Sequence, residues 1–90
     1  MNKAVSLLGV FFEIDHYPVD GFQLTLTSEE TEEVLYDRRM VGYTEFEALF
    51  EAVAEVWAAD LEKHGEMPYD LTLRIAERLQ VEELWEEEEN

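Results

Sequence analysis

The sequence has no cysteine, only six basic residues, two prolines and no long uninterrupted apolar run. Without cysteine there is no disulfide framework, and such a small chain is expected in the reducing cytoplasm. The most apolar stretch, AVSLLGVFF at 4–12, is too short to span a bilayer, and acidic residues follow it directly. It also lacks a small-residue cleavage site, so we interpret it as part of a strand and not as a signal peptide or membrane anchor.

The scarcity of basic residues is matched by an excess of acidic ones, 23 against 6, which gives a formal net charge of −17. Such a polyanion repels DNA, RNA and the anionic inner leaflet of membranes, so we expect neither direct nucleic-acid binding nor membrane binding. Basic protein surfaces attract it, and salt weakens that attraction. Hydrophobic residues still make up 47% of the chain, which favours a folded domain over a disordered acidic tail.

The sequence also lacks catalytic and metal-binding motifs: there is no nucleophile elbow, no phosphate-binding loop and no calcium-binding loop. Two groups of residues are candidate sites. Glu13, Asp15 and His16 could form an acid–base or metal cluster, but they are interpreted as a strand end entering a turn. Asp60 and His64 lie four residues apart, yet no second His or Cys is near them. We therefore expect no enzyme, no cofactor and no metal site.

The first half of the chain is predicted to be β. Residues 4–15 alternate as a strand, HYPVDG at 16–21 is a turn, and 22–27 form a second strand with Phe22, Leu24 and Leu26 inward. Residues 33–41 are predicted as a third strand, although Ser28 could instead cap a short helix.

The second half is predicted to be helical. TEFE at 44–47 is a capping box, and the helix that it begins should end near Gly65. A second helix is expected from Leu71, with Asp70 as its cap. Apolar residues form one stripe on each helix: Phe46, Leu49, Phe50, Val53, Val56, Trp57 and Leu61 on the first, and Leu71, Ile75, Leu79, Val81 and Trp85 on the second.

Leu73 and Leu84 fall on the back of the second helix, so either the helix breaks near Gln80 or the two leucines meet a partner. Together these patterns predict one α+β domain over 1–90, in which a small antiparallel sheet of two to three strands packs against two helices. Residues 86–90 are expected to fray. A monomer is favoured over a homodimer because like charges repel.

The acidic residues of the helical half follow a pattern. Four glutamates fall within about 80° of one another on the wheel of the first helix, beside its apolar stripe. A solvated face usually mixes charges of both signs, and this one does not. These four and the glutamates of the C-terminal run form the predicted partner-binding site: Glu47, Glu51, Glu55, Glu62, Glu82, Glu83, Glu86 and Glu87.

Aromatic residues lie among acids instead of bases, which disfavours nucleic-acid stacking. Four of them would suit the anchors of a protein interface if they are exposed: Tyr36, Tyr43, Tyr69 and Trp85. The only basic pair, Arg38 and Arg39, is interpreted as local compensation for Glu32, Glu33 and Asp37.

A compact chain of this length is expected to be about 30 Å across, and 30 Å of duplex DNA carries about 18 phosphates. In size, charge and lack of catalytic motifs the chain resembles the small acidic proteins, often encoded by phages, that occupy the nucleic-acid site of a restriction, repair or CRISPR enzyme. The resemblance implies an inhibitor that mimics nucleic acid and binds a basic nucleic-acid-binding protein. The alternative is an acidic adaptor or regulatory subunit that docks on a basic partner without such mimicry.

Overall fold

The computed structural model describes residues 2–85, and the chain divides into two compact units, Met1–Gly42 and Tyr43–Asn90. The α+β class is confirmed, with the helices following the sheet. The number of strands was wrong, because the sheet has four antiparallel strands and not two to three. Three helices, and not two, occur within residues 2–85. The single 90-residue domain stays a prediction.

The sheet is a meander in which each strand pairs with the next along the chain. Its strands are β1 (Asn2–Leu7), β2 (Val10–His16), β3 (Phe22–Ser28) and β4 (Val34–Met40). The prediction of one strand over 4–15 was wrong, because Leu8 and Gly9 form a two-residue turn between β1 and β2. Both have positive φ, 57° and 74°, as the tight hairpin turn requires.

One face of the sheet is buried, as the alternation in β3 predicts. Phe22, Leu24 and Leu26 are all buried, which confirms their inward orientation. Ile14 pairs with Leu24 and Phe12 with Leu26, so apolar side chains of the same face meet across β2 and β3.

The third predicted strand is confirmed as β4, which settles the choice between strand and short helix at 28–36. Ser28 closes a loop instead of capping a helix: its N–H donates to the Glu33 carbonyl at 2.8 Å. Its hydroxyl accepts from the Thr31 N–H at 3.3 Å. Glu32 takes a positive φ of 63°, which turns the chain back toward β4.

The predicted capping box begins α1 (Glu45–Val56). The Thr44 hydroxyl accepts from the Glu47 N–H at 3.0 Å, and the Glu47 carboxylate accepts from the Thr44 N–H at 3.0 Å. The single helix expected to reach Gly65 is interrupted at Trp57, whose φ and ψ of −107° and 20° are not helical. After it, α2 (Ala58–His64) ends at Gly65 as predicted, in the left-handed conformation.

The last helix, α3 (Pro68–Leu79), begins three residues earlier than predicted. Met67 is its N-cap and Pro68 its first residue, so the prediction of Asp70 as cap was wrong. Proline suits this position because its φ is preset and its missing N–H would have no partner in the helix. The helix ends at Gln80, where φ is 60°, which confirms the predicted break. Leu84, past the break, is exposed.

Candidate partner-binding surface

The negative charge is concentrated in the helical unit. Residues 43–90 contain fifteen acidic and three basic residues, a formal charge of −12, whereas residues 1–42 contain eight acidic and three basic residues, a formal charge of −5. The helical unit therefore carries more than two thirds of the net charge of −17. A cationic partner is attracted mainly to this unit.

Three of the predicted site residues lie along α1. Glu47, Glu51 and Glu55 are spaced four residues apart, which places successive residues about 6 Å apart along the helix axis. Glu55 is exposed, while Glu47 and Glu51 are half-buried. The Glu47 carboxylate also closes the capping box, so it has a structural role as well.

Glu62 does not share a helix with this row. It lies in α2, beyond the interruption at Trp57. The helical wheel that placed Glu62 beside the other three glutamates assumed one continuous helix, so it does not apply across Trp57. The interruption is local, because the Trp57 N–H still donates to the Val53 carbonyl at 3.0 Å, and the Trp57 carbonyl accepts from Leu61 at 2.9 Å. Glu62 is exposed near the end of α2.

Glu82 and Glu83 lie in a segment that returns to the start of α1. The Thr44 hydroxyl donates to the Leu84 carbonyl at 2.6 Å, so the residue that caps α1 also binds the segment that follows α3. The Trp85 ring packs nearly perpendicular to Phe46 and Phe50, with ring centroids 5.0 and 5.7 Å apart. Glu82 and Glu83 are thereby attached beside the first turns of α1, where Glu47 lies.

Glu83 is held in a defined position by two aromatic side chains. Its Oε2 accepts from the Tyr69 hydroxyl at 2.7 Å and from the Trp85 indole N–H at 3.2 Å. The hydrogen bond to Glu83 is the main reason why the pKa of Tyr69 is raised above its ordinary value. The remaining predicted site residues, Glu86 and Glu87, lie outside the residues that the structure describes.

The four aromatic residues predicted as possible interface anchors differ in their exposure to solvent. Tyr36 is buried, whereas Tyr43, Tyr69 and Trp85 are all exposed and belong to the helical unit. The ring centroids of Tyr69 and Phe46 lie 6.3 Å apart, so Tyr69 and Trp85 both contact Phe46. The sequence indicated which aromatic residues to consider, but not that two of them would meet around one carboxylate.

Glu13, Asp15 and His16, the candidate acid–base cluster, do not all lie on one face of the sheet. Because side chains alternate along a strand, Glu13 and Asp15 lie on the face of β2 opposite His16. The His16 ring instead lies 5.2 Å from the ring of Phe22. Asp60 and His64 are exposed on α2, and no group of three or more His, Asp or Glu side chains within 2–85 could hold a metal ion.

The basic pair contacts aromatic rings. The Arg39 guanidinium lies over the Tyr17 ring at 4.1 Å and donates to the Asp20 carbonyl at 2.7 Å. Arg38 lies over the Tyr36 ring at 5.3 Å. Asp37, which the sequence grouped with these arginines, accepts hydrogen bonds from Gln23 and Thr25 on the neighbouring strand. The interpretation of the pair as charge compensation stays a prediction.

Comparison of the chain with protein-family models, with curated proteins and with solved structures found no match. Within the described part of the chain, no helix has both the length and the apolar character needed to cross a membrane.

Proposed function

We propose that this protein is an acidic inhibitor that mimics nucleic acid and occupies the basic surface of a DNA- or RNA-processing protein, such as a restriction or CRISPR enzyme. The observation that carries the proposal is the composition of α1, which has four glutamates and no basic residue in 12 positions. In this proposal the eight predicted site residues take the place of phosphates.

The arrangement on α1 is unfavourable for the helix itself. Like charges four residues apart destabilise a helix by about 0.2–0.5 kcal/mol per pair, and Glu47, Glu51 and Glu55 make two such pairs. Glu55 also lies in the last turn, where the helix dipole favours a cation. A lysine at position 55 would replace one of these pairs with an opposite-charge pair and would also suit the dipole. The acidic row is therefore not the arrangement that helix propensity by itself favours.

Charge spacing indicates how much of the site is needed. A DNA strand carries one phosphate per about 3.4 Å of axis, whereas the α1 row offers one carboxylate per about 6 Å. The row alone has roughly half the charge density of one strand. Glu82 and Glu83, attached beside the first turns of α1, raise the local density, so the proposed surface includes both segments.

The experiment uses a triple variant that removes charge without removing the cap. Glu47→Gln, Glu51→Gln and Glu55→Gln together delete three charges of α1, and glutamine at position 47 can still close the capping box. The matched control carries Glu30→Gln, Glu32→Gln and Glu33→Gln, three exposed acids of the β3–β4 loop, and has the same net charge.

Both variants are tested against the basic protein that wild-type protein captures from a host lysate. We expect the α1 variant to bind at least about tenfold more weakly than the loop variant, because close charge pairs across an interface couple strongly. Circular dichroism checks that both remain folded. Equal losses in the two variants would show a diffuse attraction to net charge, and no loss in the α1 variant would remove α1 from the interface.

A second candidate function is the adaptor that docks on a basic protein away from its nucleic-acid site. The exposed side chains of Tyr43, Tyr69 and Trp85 favour it, because aromatic anchors are typical of protein interfaces. The two functions differ in one outcome: nucleic acid and a mimic exclude each other from the partner, whereas an adaptor and nucleic acid bind together.

A further inference from the structure

Tyr69, Glu83 and Trp85 form a small composite surface on the helical unit, which we call the Trp85 surface. Both aromatic side chains donate a hydrogen bond to Oε2 of Glu83, from the Tyr69 hydroxyl at 2.7 Å and from the Trp85 indole at 3.2 Å. The carboxylate is therefore fixed between two aromatic rings, and its other oxygen, Oε1, takes part in neither bond.

The aromatic rings of the Trp85 surface pack against neighbouring phenylalanines and are also partly exposed to solvent. Phe46, which is fully buried, contacts both Tyr69 and Trp85, and Phe50 contacts Trp85 as well. Even so, 37% of Tyr69 and 41% of Trp85 remain exposed. A partner that contacts these rings would therefore meet side chains that are already ordered, which lowers the entropic cost of binding.

A carboxylate beside aromatic rings suits one basic side chain better than the other. The planar guanidinium of arginine can stack on an aromatic ring while one of its N–H groups donates to a neighbouring carboxylate oxygen, whereas the lysine ammonium acts as a compact, strongly hydrated charge. The helical unit, with a formal charge of −12 from fifteen acids and three bases, draws cationic side chains toward it.

We propose that the Trp85 surface receives an arginine side chain of the basic partner, stacked on the exposed aromatic rings and paired with Glu83. The inference rests on the proposed function to the extent that the partner is a basic protein. It adds a contact that phosphate mimicry does not require, because carboxylates in place of phosphates would attract arginine and lysine alike.

The test compares two probes, a hexa-arginine peptide and a hexa-lysine peptide, which have equal charge. The full-length protein is labelled with ¹⁵N, and the two tryptophan indole N–H resonances are followed during titration. We expect the arginine peptide to bind about fivefold more tightly, from the strength of an exposed cation–π contact, and to shift the Trp85 resonance. Equal affinities and an unshifted Trp85 resonance would overturn the inference.

Three variants test whether the preference for the arginine peptide depends on the Trp85 surface. Trp85→Phe, which also assigns the indole resonance, keeps a ring against Phe46 and Phe50 but removes the indole, and Glu83→Gln removes the charge. Both are expected to reduce the preference for arginine. Leu84→Ala is the matched control, since it removes an exposed side chain of the same segment while leaving the carbonyl that Thr44 binds. It should keep the preference. Loss in Leu84→Ala but not in the other two would count against the Trp85 surface.

Failure of this inference and failure of the proposed function have different signatures. The triple α1 variant should weaken both peptides in similar proportion, because it removes charge but no part of the Trp85 surface. If the arginine preference is absent while the triple variant still loses partner binding, only the present inference falls. If the preference for arginine is present while the triple variant binds its partner normally, the assignment of α1 to the interface is wrong and the present inference is retained.

Discussion

At the residue scale, the hydrogen bond between Tyr69 and Glu83 links a titratable group of α3 to the segment that follows this helix. The Glu83 carboxylate accepts from the neutral phenol and would repel a phenolate, so it raises the pKa of Tyr69 above its ordinary value of 10.0; desolvation and Asp70 act in the same direction. The contribution of this hydrogen bond to the stability of the folded protein is therefore complete below pH 10.0, and it is lost as the pH rises through the raised pKa of Tyr69.

This gives a prediction about pH. Ultraviolet titration of phenolate in wild-type protein, compared with Tyr69→Phe, should isolate one tyrosine that ionises at higher pH than an ordinary tyrosine. Glu83→Gln should lower that pKa toward 10.0, because the carboxylate charge is gone. If the difference curve for Tyr69 is centred at the ordinary value in wild-type protein, the hydrogen bond does not hold in solution.

Residue chemistry also explains which contacts the sequence could predict. The capping box was predictable because Thr44 and Glu47 are three residues apart and their types specify the geometry. The bond from Thr44 to the Leu84 carbonyl was not predictable, since it joins residues 40 apart and every residue has a backbone carbonyl. The hydrogen bond from Tyr69 to Glu83 was not predictable either, because it depends on the position at which α3 begins.

At the element scale, the β1–β2 hairpin shows how a strong hydrophobic pattern can hide a turn. Residues 4–15 alternate well enough to be predicted as one strand, and only Gly9 marks the turn. Leu8 gives no turn signal, because leucine rarely adopts positive φ. The two-residue turn nevertheless places Leu8 at φ 57°, with its side chain exposed.

A substitution in this turn tests that account. Leu8→Asn should stabilise the protein by about 0.5–1 kcal/mol, because asparagine tolerates the left-handed conformation and little buried area is lost. Gly9→Ala is the companion variant and should destabilise by about 1 kcal/mol through backbone strain, since a Cβ there has no atom within 4 Å outside the two neighbouring residues. Urea unfolding followed by circular dichroism measures both. A destabilising Leu8→Asn would show that Leu8 has a packing role.

The helices differ from prediction for similar reasons. No glycine or proline marks the interruption at Trp57, so the periodic pattern continued across it. At the start of α3, Asp70 has the chemistry of a cap, but Pro68 already begins the helix. The end of each helical segment was better predicted: Gly65 and Gln80 both adopt the left-handed conformation.

At the scale of the whole molecule, the central feature is the unequal division of charge. The charges can be counted from the sequence, but their unequal division becomes evident only when the boundary between the two units is known. Residues 43–90 have fifteen acidic and three basic residues, and residues 1–42 have eight acidic and three basic residues. Self-repulsion lowers the stability of such a unit, and salt screens it. The same screening weakens association with a basic partner, so added salt should act on folding and binding in opposite directions.

The most direct test of the central claim is a competition experiment on the captured partner. The purified partner is saturated with labelled nucleic acid, and this protein is added at low salt while the fluorescence anisotropy of the label is recorded. If this protein mimics nucleic acid, we expect complete displacement of the nucleic acid by wild-type protein and much weaker displacement by the triple α1 variant. A stable ternary complex of partner, nucleic acid and this protein would contradict mimicry.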